Sequence, residues 1–125
     1  ILLTDDDESI SSKIKKAKSD SELIPDSSKD LQNKPECLNL INILSACLNQ
    51  TVDQTLQSYS GKEYSLLKKD LADSLVQIIG PIRKEIKNLL NNKDELDLIL
   101  KDGAQKAASI ANPIIEDVYK IVGFK

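Results

Sequence analysis

Residues 13–22 read KIKKAKSDSE, with lysines at 13, 15, 16 and 18 followed at once by Ser-Asp-Ser-Glu. Such a stretch can hold a phosphate or an RNA backbone, or it can be the solvated end of a helix, which is the commoner meaning of a charge run. A second basic set, Lys68, Lys69, Arg83, Lys84 and Lys87, sits within one long apolar-striped segment. At about 100° per residue, Arg83 and Lys87 share one side of a helix and Lys84 is adjacent. Phosphate binding and plain surface are both open readings there. The acidic run at 5–8 is read as helix-start electrostatics rather than a metal cluster, because adjacent acids do not converge on one ion. The chain has no His and no Gly-rich phosphate loop, so no nucleophile–base pair or nucleotide cradle is visible.

The chain has 125 residues, 40% of them hydrophobic and 30% charged, a globular balance and one domain's length. Aromatics are only 3%, so the core must be built from Leu, Ile, Val and Ala. A net charge of −3 excludes a bulk polyanion binder and leaves nucleic-acid contact to local patches. No DNA partner is expected. The longest uncharged run, 37–52, is too short and polar to span a bilayer, so no membrane partner is expected. Cys37 and Cys47 fall in one expected helix, roughly 15 Å apart at about 1.5 Å per residue. That is beyond the roughly 7 Å a disulfide allows, so two reduced thiols and a cytoplasmic location are expected. Without His, a zinc site is not expected. The chain begins at Ile1, which suggests a processed protein or part of a longer one.

The elements follow from periodicity. Residues 1–4 read as the possible end of a strand. A first helix starts at the acidic run, places Ile10, Ile14 and Ala17 on one face and ends near Lys18. Residues 20–34 read as loop. Pro35 opens a helix over 36–49 that is apolar nearly all round and therefore central. Thr51-Val-Asp-Gln54 has the form of a capping box for a short helix that ends before Gly61. Tyr64, Leu67, Leu71, Leu75, Ile78, Ile82, Ile86 and Leu89 make a stripe over 62–90, with a kink expected at Gly80-Pro81. A short helix over 94–101 is followed by a second capping-box sequence, Asp102-Gly-Ala-Gln105. That opens a last helix with Ala104, Ala107, Ala111, Ile114, Val118 and Ile121 on one face, bent or broken at Asn112-Pro113 and closed by Gly123. The reading is all-α, a helical bundle of five or six helices.

The order of motifs is more specific than any one of them. ILLTDDDESISSKIKKAKSDSE leads to NKPECLNLINILSAC. YSGKEYSLLKKDLADSLVQIIGPIRKEI and DELDLILKDGAQKAASIANPIIEDVYKIVGF then follow. The series resembles the C-terminal region of bacterial tryptophanyl-tRNA synthetases over essentially the whole chain. Lys13, Lys16, Ala17, Ser19, Asp20 and Ser21 match the family's lysine-rich block, and Lys34, Pro35, Asn39 and Leu40 its next helix start. Tyr59, Gly61, Lys62, Tyr64 and Lys68, then Pro81, Ile82 and Arg83, then Gly103, Ala104, Lys106 and Ala107 match the remaining blocks. Ser19 stands where Thr is usual, Glu36 where Gly often follows the proline, and Pro113 is a departure inside the last helix. A tyrosyl-tRNA synthetase relative fits the last two blocks less well.

The resemblance implies a class I synthetase that joins tryptophan to tRNA(Trp) through a tryptophanyl-adenylate. It would be a homodimer that uses ATP with Mg2+. K-S-D-S resembles the K-M-S-K-S loop that holds ATP, but the surrounding order puts residues 13–22 one element later. Residues 1–34 would then be a linker with first helix and loop after an absent N-terminal catalytic domain, and residues 35–125 the helical anticodon-binding domain. The resemblance assigns no catalytic, cofactor or metal residue to this chain itself. Arg83, Lys84, Lys87, Lys62 and Lys68 are the expected tRNA contacts, chosen from charge placement. Lys13, Lys16, Ser19 and Asp20 are expected to face the catalytic domain. Tyr59, Tyr64, Tyr119, Phe124 and the Arg83 guanidinium are the groups able to stack on unpaired bases. Ile1, Leu2 and Leu3 are expected to associate or be disordered once that domain is absent. The competing reading is a free-standing helical module that binds protein or RNA without catalysis.

Overall fold

Asp6 begins the first helix because its carboxylate accepts the Ser9 N–H at 2.7 Å, so Asp7 and Glu8 fall in a first turn that favours negative charge. In the computed structural model, which describes residues 1–124, α1 runs Asp7–Lys16 and α2 Ser28–Gln32. They are followed by α3 (Pro35–Leu48), α4 (Val52–Tyr59), α5 (Tyr64–Asn91) and α6 (Lys93–Val122). These are six helices, with no strand among the described residues. None of the helices is long and apolar enough to cross a membrane. Two compact units result, Ile1–Lys84 and Glu85–Lys125, and α5 contributes to both.

The core of the first unit gathers around α3. Pro35 occupies its first turn, and Asn49 closes it in the left-handed conformation at φ 53°. Cys37, Leu40, Ile41 and Leu44 are buried with Leu56 of α4, Tyr64, Leu67, Leu71, Leu75 and Ile79 of α5, and Ile10 and Ile14 of α1. The buried Ser45 hydroxyl donates to the Ile41 carbonyl, so it leaves no unmet donor. Thr51 and Gln54 form the expected capping box in both directions, at 3.2 and 2.9 Å. Thr51→Ala is expected to lower stability by about 1 kcal/mol, the usual worth of such a cap, as measured by urea unfolding.

Several expectations are corrected. Residues 1–4 form a turn, with the Asp5 N–H donating to the Leu2 carbonyl and the Leu2 N–H to the Asp5 carboxylate, so no strand end is present. The segment 20–34 is not only loop. Ser27 caps α2, and Ile24 and Leu31 are buried in the core. Ile24 also exchanges backbone hydrogen bonds with the turn at Gly61, accepting from the Gly61 N–H and donating to the Lys62 carbonyl. Gly61 has φ +68°, a conformation that L side chains adopt rarely.

In α5 the helix runs through Gly80-Pro81 without ending. The stripe shifts near its middle, so that Ile79 is buried while Ile78 is exposed.

In the second unit, Asn92 makes the turn and α6 then runs unbroken through 102–105 and through Pro113. The second capping box does not form, because no helix starts there; inside the continuous helix the Asp102 carboxylate pairs with Lys106 one turn on, at 2.7 Å. A lone Gly103 costs a helix only about 1 kcal/mol, and the Ala-rich sequence after it favours continuation. None of the residues of α6 is buried, and Ile110, Ile114, Val118 and Ile121 are open. Gly123 ends the helix at φ 77° as expected.

Candidate nucleic-acid interface

The expected tRNA contacts separate into two kinds. Lys68 is committed inside the first unit. Its ammonium donates to the Ala17 carbonyl at 2.6 Å, to Ser19 Oγ at 2.9 Å and to the Lys15 carbonyl at 3.4 Å. It therefore satisfies the carbonyls that α1 leaves open at its C-terminus, where a cation also suits the helix dipole. Arg83 holds the other end. Its Nη1 donates to the Asp5 carbonyl at 2.6 Å and its Nη2 to the Asp7 carboxylate at 2.8 Å. These two residues of α5 thus bracket α1, which runs antiparallel to it. Lys62, Lys84 and Lys87 are exposed and make no ion pair with a carboxylate among the described residues. The Lys62 ammonium lies 5.7 Å from the Tyr59 ring centre.

The residues of 13–22 also divide. Lys13 pairs with Asp5 at 2.6 Å, and Lys18 with Glu36 at 2.8 Å. Asp20 and Glu22 both reach Lys34, at 3.1 and 2.6 Å. Lys34 is therefore the centre of the loop's electrostatics, a role that its place in a Lys-Pro helix start did not signal. The Lys13 ammonium, and after it the Leu2 N–H, holds the Asp5 carboxyl below its ordinary range. Lys34 does the same for Asp20, and Lys18 for Glu36. Ser19 accepts from Lys68, and Lys16 is exposed.

The aromatic groups are placed unevenly. Tyr59 and Tyr64 are in the core and cannot present a ring face to a base. Tyr59 donates to the Asp70 carboxylate at 2.7 Å, and burial together with that bond pushes its pKa up to about 12. The buried Tyr64 hydroxyl makes no well-formed hydrogen bond among the described residues. Burial, and then the neighbouring Cys37 thiol, push its pKa up. Cys37 and Cys47 are free, and burial raises both thiols, which disfavours the reactive thiolate. In the second unit Tyr119 and Phe124 are exposed and meet edge to face at 6.2 Å.

Two concavities of the first unit matter. One, about 210 Å³, lies among Lys18, Ser19, Asp20, Lys34, Glu36, Cys37 and Tyr64. Its two cations are already neutralised by carboxylates. The other, about 310 Å³, runs between α1 and α5 and is lined by Ser11, Lys15, Ser65, Lys68, Lys69, Ala72 and Asp73. Lys15 and Lys69 make no ion pair with a carboxylate among the described residues. Neither was among the expected contacts. In the sequence each is visible only as one cation of a basic run.

Comparison with known proteins gives the family. The model of class I tRNA synthetases (W and Y) matches residues 1–80. Tryptophan–tRNA ligase of Agrobacterium fabrum is 35% identical over 124 residues, covering 99% of this chain and 35% of the relative. The tryptophan–tRNA ligases of Caulobacter vibrioides and Clostridium acetobutylicum are 36% and 38% identical, each over 99% of this chain and 36% of the relative. The chain thus spans about a third of the length of these curated relatives. With the model matching well over half of its residues, this chain belongs to the class I tRNA synthetases (W and Y).

Proposed function

We propose that the chain is the C-terminal helical region of a tryptophan–tRNA ligase and that it engages the anticodon arm of tRNA(Trp). The intact enzyme would attach L-tryptophan to that tRNA through a tryptophanyl-adenylate, using ATP with Mg2+, as a cytoplasmic homodimer. The observation that carries the reading is the end-to-end likeness to tryptophan–tRNA ligases over only a third of their length. Adenylate formation would belong to the other two thirds, the catalytic domain, with residues 1–34 following it and residues 35–125 serving the anticodon. Lys13, Lys16, Ser19 and Asp20 would lie toward that domain. The absence of His, and of any sequence of the K-M-S-K-S form, from this chain agrees with that division.

Lys68 is held by three hydrogen bonds and Arg83 by a hydrogen bond and an ion pair to the α1 end of the chain, so the tRNA-contact role is proposed for the exposed Lys62, Lys84 and Lys87. In the intact enzyme, charge reversal to Glu at each of the three separately is expected to raise the aminoacylation KM for tRNA about tenfold, which corresponds to about 1.4 kcal/mol of binding. kcat should stay within about twofold, because interactions equal in ground and transition states move KM alone. KM unchanged in all three variants would refute the anticodon-arm assignment.

A further inference from the structure

The groove between α1 and α5 has a chemistry that the reading above does not use. Its floor is Ala72 and the apolar stem of Lys68, whose ammonium is turned inward onto the end of α1. Lys15 lines it from α1 and Lys69 from α5, and neither has a carboxylate partner among the described residues. Asp73 lies one turn beyond Lys69 on the α5 wall, and Ser11 and Ser65 complete the lining. At about 310 Å³ the groove sits at the lower end of small-ligand pockets, about 300–1,000 Å³, so it suits one flat group rather than a large ligand.

We infer that this groove seats one unpaired nucleotide of the bound RNA. The base lies on Ala72 and the lysine stems, the phosphate between the Lys15 and Lys69 ammonium groups. The inference rests on the tRNA-binding reading. An anion without an apolar body would leave the floor unused, and a purely apolar ligand would bury two unneutralised lysines at a cost. A nucleotide satisfies both features. Asp73 can only accept hydrogen bonds, so it favours a base that carries an amino group, as carboxylates accept from the cytosine amine. No aromatic ring lines the groove, so the phosphate supplies most of the affinity and binding is salt-sensitive.

The test is titration of the 15N-labelled chain with pentacytidylate and, in parallel, with tRNA(Trp). Pentacytidylate is expected to shift the amides of Ser11, Lys15, Ser65, Lys69 and Ala72. Lys15→Gln with Lys69→Gln should weaken binding at least tenfold and reduce the slope of log K against log salt by about 0.7, for the single-strand phosphate contact given up. Ala72→Leu fills the floor and should weaken binding comparably with the slope unchanged. Lys29→Gln, on α2, serves as the control at wild-type affinity. Amide shifts confined to other surfaces, or the lysine double variant binding as wild type, would overturn the inference. tRNA bound equally by wild type and both groove variants overturns the groove and leaves the tRNA reading intact. Pentacytidylate bound in the groove by a chain that binds no tRNA supports the groove and overturns the tRNA reading.

Discussion

A Lys68→Met, Arg83→Met double variant loses about 3 kcal/mol of unfolding free energy, from two charge-assisted hydrogen-bond clusters that each contribute about 1.5–3 kcal/mol. The lower end applies because both side chains retain some contact with water. Lys68 serves the last open carbonyls of α1, and Arg83 serves a carbonyl and a carboxylate at its start. Methionine keeps most of the apolar packing of the stem and removes the charge with its N–H donors, so the loss reports chiefly the clamp. The two residues lie fifteen positions apart on α5, about 22 Å at 1.5 Å per residue, so their effects should add. Urea unfolding of the single and double variants measures this. A loss below about 0.5 kcal/mol, the size of an ordinary surface substitution, would mean that the clamps do not hold α1 and that the two cations are free for RNA.

That pair shows what sequence could and could not reveal. Both residues were legible as part of a basic set on a helix. Their partners were not, because the carbonyls of Asp5 and Ala17 become acceptors only once α1 has formed and docked. Local signals carried further. Pro35 and the Thr51–Gln54 box locate their helix starts because the groups that make them lie within one turn. The box expected at Asp102 failed because the helix begun at Lys93 continues through it, leaving no open N–H groups to cap. The expectation that aromatic residues would read the bases failed at Tyr59 and Tyr64 for a composition reason. A chain with so few large side chains spends them in its core. The groove lysines were visible as charges, but their juxtaposition depends on the antiparallel placement of α1 and α5, which no spacing within either helix encodes.

The segment 20–34 is where the sequence was least informative, and there a single substitution should have the largest effect. Ile24→Ala is expected to destabilise the first unit by about 2–5 kcal/mol, the range for truncating a large aliphatic side chain in a packed interior. Ile24 is 1% exposed whereas its neighbour Leu23 is 54% exposed, so one residue of an apolar pair enters the core and the other does not. No periodicity surrounds them to tell which. The distinction is made by the backbone pairing of Ile24 with Gly61 and Lys62, which directs one side chain of the pair inward. Ala keeps those backbone bonds, so the variant isolates the lost side-chain packing. Leu23→Ala, made alongside, should cost less than about 0.5 kcal/mol, as surface changes usually do. Equal losses at the two positions would mean that the loop packs by general hydrophobic contact and not by the Ile24–Gly61 pairing. The pairing matters beyond stability because it fixes the chain immediately after Asp20 and Glu22, whose carboxylates converge on Lys34.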